Sequence, residues 1–166
     1  MTGPTGGVWW LPCPAGILQQ PVVSLLVDAG VTVVCTGGGG IPCTRQPDGT
    51  LAGIETVVDK DRASALLAIG LQADVLLLLT DVDGAYVGFG TVTARAISRA
   101  EPRSLQAQQA EFRAGSMGPK IEGAVQFANA TGRIAGIGQL EDAEAILLGT
   151  AGTLVDPKAK AMQFRA

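Results

Sequence analysis

Histidine is absent from all 166 residues. That excludes a Ser-His-Asp triad, a Cys-His dyad and histidine-ligated zinc within the chain. Charge is sparse: 16% of residues are charged, 12 basic against 15 acidic, for a formal charge of −3. This balance gives no electrostatic case for a nucleic-acid surface, so any phosphate site must be local. The three cysteines, Cys13, Cys35 and Cys43, form no CxxC pair and are odd in number. They read as reduced thiols acting as small apolar residues, not as a disulfide framework. Val8-Trp9-Trp10-Leu11 has no basic flank and is cut short by Pro12 and Pro14, so neither a signal peptide nor a membrane span is expected. The expected location is the cytoplasm.

What is present is the composition of one folded domain, with 47% hydrophobic residues in a length that supports a sizeable core. Residues 75–79, Val-Leu-Leu-Leu-Leu, are apolar without alternation. Such a run predicts a strand covered on both faces, near the middle of a mostly parallel sheet. It breaks into Thr80-Asp81-Val82-Asp83-Gly84, and ligands of open α/β sheets collect at the carboxyl ends of strands. The two carboxylates there could hold a metal, bind a ribose or shape a turn.

Residues 1–16 read as an irregular lead-in, 17–156 as the domain and 157–166 as a frayed tail. Helical spacing of Val22, Leu25 and Leu26 predicts a helix over 21–29, followed by a strand over 31–36. That strand runs into Gly37, Gly38, Gly39 and Gly40, whose missing side chains let backbone N–H groups approach an anion. Neither GxGxxG nor GxxxxGK[ST] fits these residues. Pro47-Asp48-Gly49 predicts a hairpin, and Asp59 predicts the cap of a helix to about residue 71. Lys60 lies between two carboxylates at that helix start, where the helix dipole disfavours a cation unless an anion is near, so it reads as phosphate-facing. Residues 91–99 read as a polar connection and 102–112 as a surface helix. Gly115-Ser116-Met117-Gly118-Pro119-Lys120 then forms a second anion loop before a helix over 120–130. A strand over 133–138, a helix over 141–148 and a strand over 150–155 complete an α/β/α domain of three layers.

Taken in order, Gly37–Pro42, Val58-Asp59-Lys60-Asp61, the Thr80–Gly84 turn with Tyr86 and Phe89-Gly90, and the 115–120 loop resemble carbamate kinases of the amino-acid kinase superfamily. The resemblance covers about residues 29–155 and only the C-terminal, nucleotide-binding half of that family's chain. It implies phosphoryl transfer between ATP and carbamate, in either direction, with Mg²⁺ held mainly by phosphates and water. Lys60 and Lys120 match the lysines that contact the transferring phosphoryl group, and Asp61 matches the aspartate that orients them. Thr80, Asp81, Asp83, Tyr86, Gly115, Ser116 and Met117 match the nucleotide pocket, and Gly37–Gly40 the phosphate and acceptor loop. No protein-held metal site is implied. The family's other half would come from a second chain, or the exposed face would be covered by self-association. A non-catalytic nucleotide-binding or regulatory module and a truncated remnant are the alternatives. The chain departs from the family pattern at Arg62, where an apolar residue is usual, at Gly88, where asparagine is usual, and at Gly136 and Gly138 in a strand normally β-branched.

Overall fold

The computed structural model describes residues 14–112 and 116–165. Helix α1 (Gln20–Asp28) starts with Pro21 in its first turn and leads through Gly30 into an irregular stretch. Strands β1 (Cys43–Arg45) and β2 (Leu51–Gly53) pair antiparallel. The side chain of Asp48 shapes their turn, accepting from the Thr50 N–H at 2.9 Å and the Thr50 hydroxyl at 2.7 Å. Helix α2 (Lys60–Gly70) follows, then β3 (Leu76–Thr80), β4 (Tyr86–Val87) and β5 (Arg95–Ala100). Two short helices, α3 (Pro102–Ala107) and α4 (Gln109–Phe112), precede the long α5 (Met117–Thr131). The described chain ends with β6 (Ala135–Gln139), α6 (Ala143–Leu148), β7 (Thr153–Val155) and β8 (Gln163–Phe164).

The main sheet runs β3-β6-β7-β5-β4, with β8 on β5. Its longest pairing, β3 with β6, is parallel, as is β5 with β7; β8 and β4 add antiparallel partners to β5, and β6 and β7 also run antiparallel. Successive strand residues face opposite sides. Leu76, Leu78, Ala135, Ile137, Ile97 and Val155 therefore pack on one side against Ile121, Ala124 and Phe127 of α5 and Ala65 and Ala68 of α2. Each fully buried Ile or Phe contributes about 1.5–3 kcal/mol. On the other side α6 drops Ile146 onto Gly136 and Gly138, where an added Cβ would lie 2.5 and 2.7 Å from it. These glycines, in a strand normally β-branched, make the seat for a fully buried isoleucine. The result is the expected helix–sheet–helix layering.

Several local expectations are corrected. Residues 31–36 form no strand, and Val34 is 98% exposed: no neighbouring strand among the described residues supplies the ladder that β propensity alone cannot replace. For the same reason β3 lies at the edge of the sheet and not near its middle. The polar connection over 91–99 hides β5, which Arg95 and Arg99 disguise; Arg95 stacks on the Phe164 ring at 3.6 Å and Arg99 pairs with Asp156 at 2.6 Å. The frayed tail instead contains β8. The helix over 102–112 breaks at Gln108, and α5 starts three residues earlier than 120. Residues 1–13 of the lead-in lie outside the described residues, as does Gly115.

Candidate functional site

The site grows from two helix starts. Asp59 caps α2, its Oδ1 accepting from the N–H groups of Asp61 at 2.9 Å and Arg62 at 3.0 Å, an arrangement worth about 1 kcal/mol. It fixes Lys60 and Asp61 in the first turn. Lys120 stands at the start of α5, just after Pro119. α2 and α5 pack closely because Gly123, one turn beyond Lys120, has no side chain; a Cβ there would sit 3.2 Å from the carbonyl oxygen of Asp61. Lys120 Nζ consequently donates to Asp61 Oδ2 at 2.8 Å, with side chains only 6% and 13% exposed. Lysine is almost never buried unless paired, so this contact is a built feature of the helix crossing.

The glycine loop is held against the same helix start. Gly39 lies over the Val58 carbonyl, where a Cβ would come within 2.0 Å, and adopts φ +107. The Thr36 hydroxyl, one residue before the loop, reaches Ser64 of α2 at 3.4 Å. The structure thus gathers Gly37–Gly40, Lys60, Asp61 and Lys120 around the N-terminus of α2. Lys60 is exposed and forms no ion pair among the described residues. Arg62 explains its own departure from an apolar residue: its Nε donates to Glu122 of α5 at 3.0 Å, and Gln109 holds the other Glu122 oxygen at 2.9 Å. Gly88 has φ +67, a left-handed position that glycine and asparagine both tolerate.

The strand-end turn forms a second group. Thr80 donates to Asp81 Oδ1 at 3.1 Å, and Asp81 is exposed. An open cleft of about 510 Å³ lies there, lined by Leu79, Thr80, Asp81, Gln139, Leu140 and Glu141. The last three escaped the sequence reading; the signal available was that β6 runs parallel to β3, so both strands end on the same side. Asp83 is held within the turn although its side chain stays 43% exposed: Tyr86 donates its hydroxyl to the Asp83 carboxylate at 2.9 Å, and Arg165 Nη1 lies 3.1 Å from Asp83 Oδ2. Burial raises the Tyr86 pKa above 10.0; the hydrogen bond to Asp83 and its charge add to that rise, while Arg165 opposes it. Ser116 is exposed at the entry to α5, and Met117 packs on the core. Among the described residues no three acidic or cysteine side chains converge as a metal site, and no helix is long and apolar enough to cross a membrane.

Fold and site together define an α/β/α domain that presents a buried lysine–aspartate pair and a glycine loop at the starts of two packed helices. Residues 15–136 match the model of the Amino acid kinase family, and the chain belongs to that family. It is 45% identical to a carbamate kinase of Rhizobium meliloti over 87% of this chain and 44% of the relative. With a carbamate kinase of Haemophilus influenzae the identity is 41%, over 93% of this chain and 49% of the relative. The structure of carbamate kinase from Giardia lamblia bound to AMP-PNP superposes with a TM-score of 0.83 at 38% identity, covering 87% of this chain and 46% of that one. The chain spans about half the length of the curated relatives it matches. A UMP kinase from Bacillus anthracis, at 17% identity and a TM-score of 0.60, shares the fold alone.

Proposed function

We propose that this chain is the nucleotide-binding, phosphoryl-handling portion of a carbamate kinase-like phosphotransferase acting in the cytoplasm. In the forward direction a carbamate oxygen attacks the γ-phosphorus of ATP, the bond from that phosphorus to the β,γ-bridging oxygen breaks, and carbamoyl phosphate and ADP result. The reverse reaction forms ATP. The observation that carries this reading is the buried Lys120–Asp61 pair at the mouth of two helix N-termini. Phosphoryl transfer asks the protein for positioning and charge stabilisation and little covalent work.

In this proposal Lys120 and Lys60 face the transferring phosphoryl group, Asp61 orients Lys120, and the N–H groups of Gly37, Gly38, Gly39 and Gly40 line the phosphate and acceptor side. Thr80, Asp81, Asp83, Tyr86, Gly115, Ser116 and Met117 hold the nucleotide. Mg²⁺ is carried by the nucleotide phosphates and water. The acceptor-binding elements of the longer relatives come from a further segment, in this polypeptide or in a second chain. Support comes from the likeness to carbamate kinases, one of them bound to AMP-PNP.

The test is calorimetry of this chain with ADP and Mg²⁺, paired with an assay of ATP formation from carbamoyl phosphate. The expected result is binding with little turnover, because positioning the second reactant is worth about 7–11 kcal/mol of barrier and depends on the further segment. Turnover should rise when that segment is supplied. Absence of nucleotide binding would overturn the reading; binding with no turnover even in the reconstituted assembly would make this a regulatory module.

A further inference from the structure

We propose that Arg165, at the far end of the chain, is a positioning residue that sets the shape of the Asp83–Tyr86 turn for nucleotide binding. The inference rests on the reading above, in which that turn belongs to the nucleotide site. β8 delivers the arginine by pairing with β5, and the Arg165 N–H donates to the Ala96 carbonyl at 2.9 Å. From there one guanidinium makes three contacts with the turn. Its Nη1 meets Asp83 Oδ2 at 3.1 Å, its Nη2 donates to the Asp83 carbonyl at 3.2 Å, and its Cζ stands 5.9 Å from the Tyr86 ring centre. Asp83 in turn accepts from the Tyr86 hydroxyl at 2.9 Å.

The turn is shaped around this guest. Gly84 leaves the space it occupies: a Cβ there would lie 2.9 Å from Arg165 Nη2 and 2.8 Å from Thr153 Oγ1. Thr153 pins the turn from below, accepting from the Ala85 N–H at 2.9 Å while donating to the Ile97 carbonyl at 2.6 Å. Thr153 thus fixes the backbone at Ala85, and Arg165 fixes the side chains of Asp83 and Tyr86. Arg95 stacks on Phe164, and Arg165 is the cation that pairs with Asp83 among the described residues. A carboxylate held by a fixed guanidinium keeps one orientation; released, it is free to rotate toward water and to carry the Tyr86 hydroxyl with it.

Tyr86 is the only tyrosine in the sequence, so its phenolate absorbance reads this clamp without any ligand. The experiment compares wild type, Arg165→Gln and Arg165→Lys by alkaline absorbance titration and by ADP–Mg²⁺ calorimetry. Arg165→Gln should move the Tyr86 midpoint upward, because the opposing cation is gone, and weaken ADP about 10-fold, the scale of one charge-assisted contact. Arg165→Lys, which keeps the charge, should restore the midpoint and part of the affinity. An unmoved midpoint in Arg165→Gln would overturn the clamp. A moved midpoint with wild-type ADP affinity would overturn the positioning role. Failure of the wild type itself to bind ADP would overturn the nucleotide reading and the role with it, and that case is recognisable because the midpoint shift persists.

Discussion

Lys120 reaches Asp61 because Gly123 lets the backbones of α5 and α2 meet: a Cβ at Gly123 would lie 3.2 Å from the Asp61 carbonyl oxygen and 3.3 Å from the Ala65 side chain. A mid-helix glycine costs about 0.5–1 kcal/mol relative to alanine. Here it sets the helix separation at which a 2.8 Å ion pair closes. A buried pair of this kind is weak evidence for stability, since desolvation offsets much of its attraction. A positioning role accounts for it better than a stabilising one.

The pair therefore predicts a particular pattern of kinetic damage. In an active assembly, Lys120→Ala and Lys60→Ala should each lower kcat by about 10² to 10³, the scale of removing one preorganised transition-state donor. Asp61→Asn keeps the shape and removes the charge that orients Lys120, so it should lower kcat as well. Asp83→Asn, in the strand-end turn, should act mainly on nucleotide affinity. Lysine variants that changed only KM for ATP would mean uniform binding and remove the catalytic assignment.

The glycine loop separates into two positions with room for a side chain, Gly37 and Gly38, and two at positive φ that strain one, Gly39 and Gly40. Gly37 has open space around its missing Cβ, whereas at Gly39 a Cβ would fall 2.0 Å from the Val58 carbonyl oxygen at φ +107. Gly39→Ala should push the loop off the start of α2 and weaken ADP affinity at least 10-fold, with a stability loss of about 1–3 kcal/mol from the strained backbone. Gly37→Ala should leave stability within experimental scatter. Equal stability of the two variants in urea unfolding would show that the loop does not lie on Val58.

Much of this site could be read from the sequence because its determinants are local. Asp59 is a capping residue three positions before Arg62, and Pro119 marks a helix start, so the places of Lys60, Asp61 and Lys120 follow from neighbours alone. That Lys120 and Asp61 touch does not, since it depends on the tertiary contact made at Gly123. The same division explains the errors. Residues 31–36 have strand propensity without a partner strand among the described residues. β5 has partners on either side, β7 and β4, with β8 also on it, although its arginines look like a loop. Arg165 was invisible because its role comes from a strand pairing that two residues, Gln163 and Phe164, barely announce.

Tyr86 gives the fold a signature in alkali. Its pKa is raised chiefly by burial, then by the hydrogen bond to Asp83 and by the Asp83 charge. A group whose folded pKa exceeds its unfolded value contributes stability that is fully present below the unfolded value, here about 10, and lost as pH rises through the folded one. Urea midpoints should therefore fall above pH 10 more steeply in wild type than in Tyr86→Phe, which lacks the ionisation. Parallel curves for the two proteins would mean that Tyr86 titrates alike in the folded and unfolded chain.

The last prediction concerns the surface of α1. Val22, Leu25 and Leu26 recur at helical spacing and so share one face, yet Val22 is 59% and Leu25 69% exposed, and only Val23 of this helix is buried. β3, which follows α2, is an edge strand among the described residues, and an edge carries unpaired backbone groups that invite another strand. Single exposed apolar residues are ordinary, whereas an aligned stripe on a helix is where self-association would be expected to occur. The chain by itself should therefore associate at tens of micromolar, and Val22→Glu with Leu25→Glu should return it to a monomer. The double variant should keep wild-type ADP affinity, because α1 contributes none of the residues placed at Lys60, Asp61 or Lys120. Sedimentation velocity decides the matter: a wild-type chain that stays monomeric across that range would leave the α1 stripe as exposed surface with no partner to explain it.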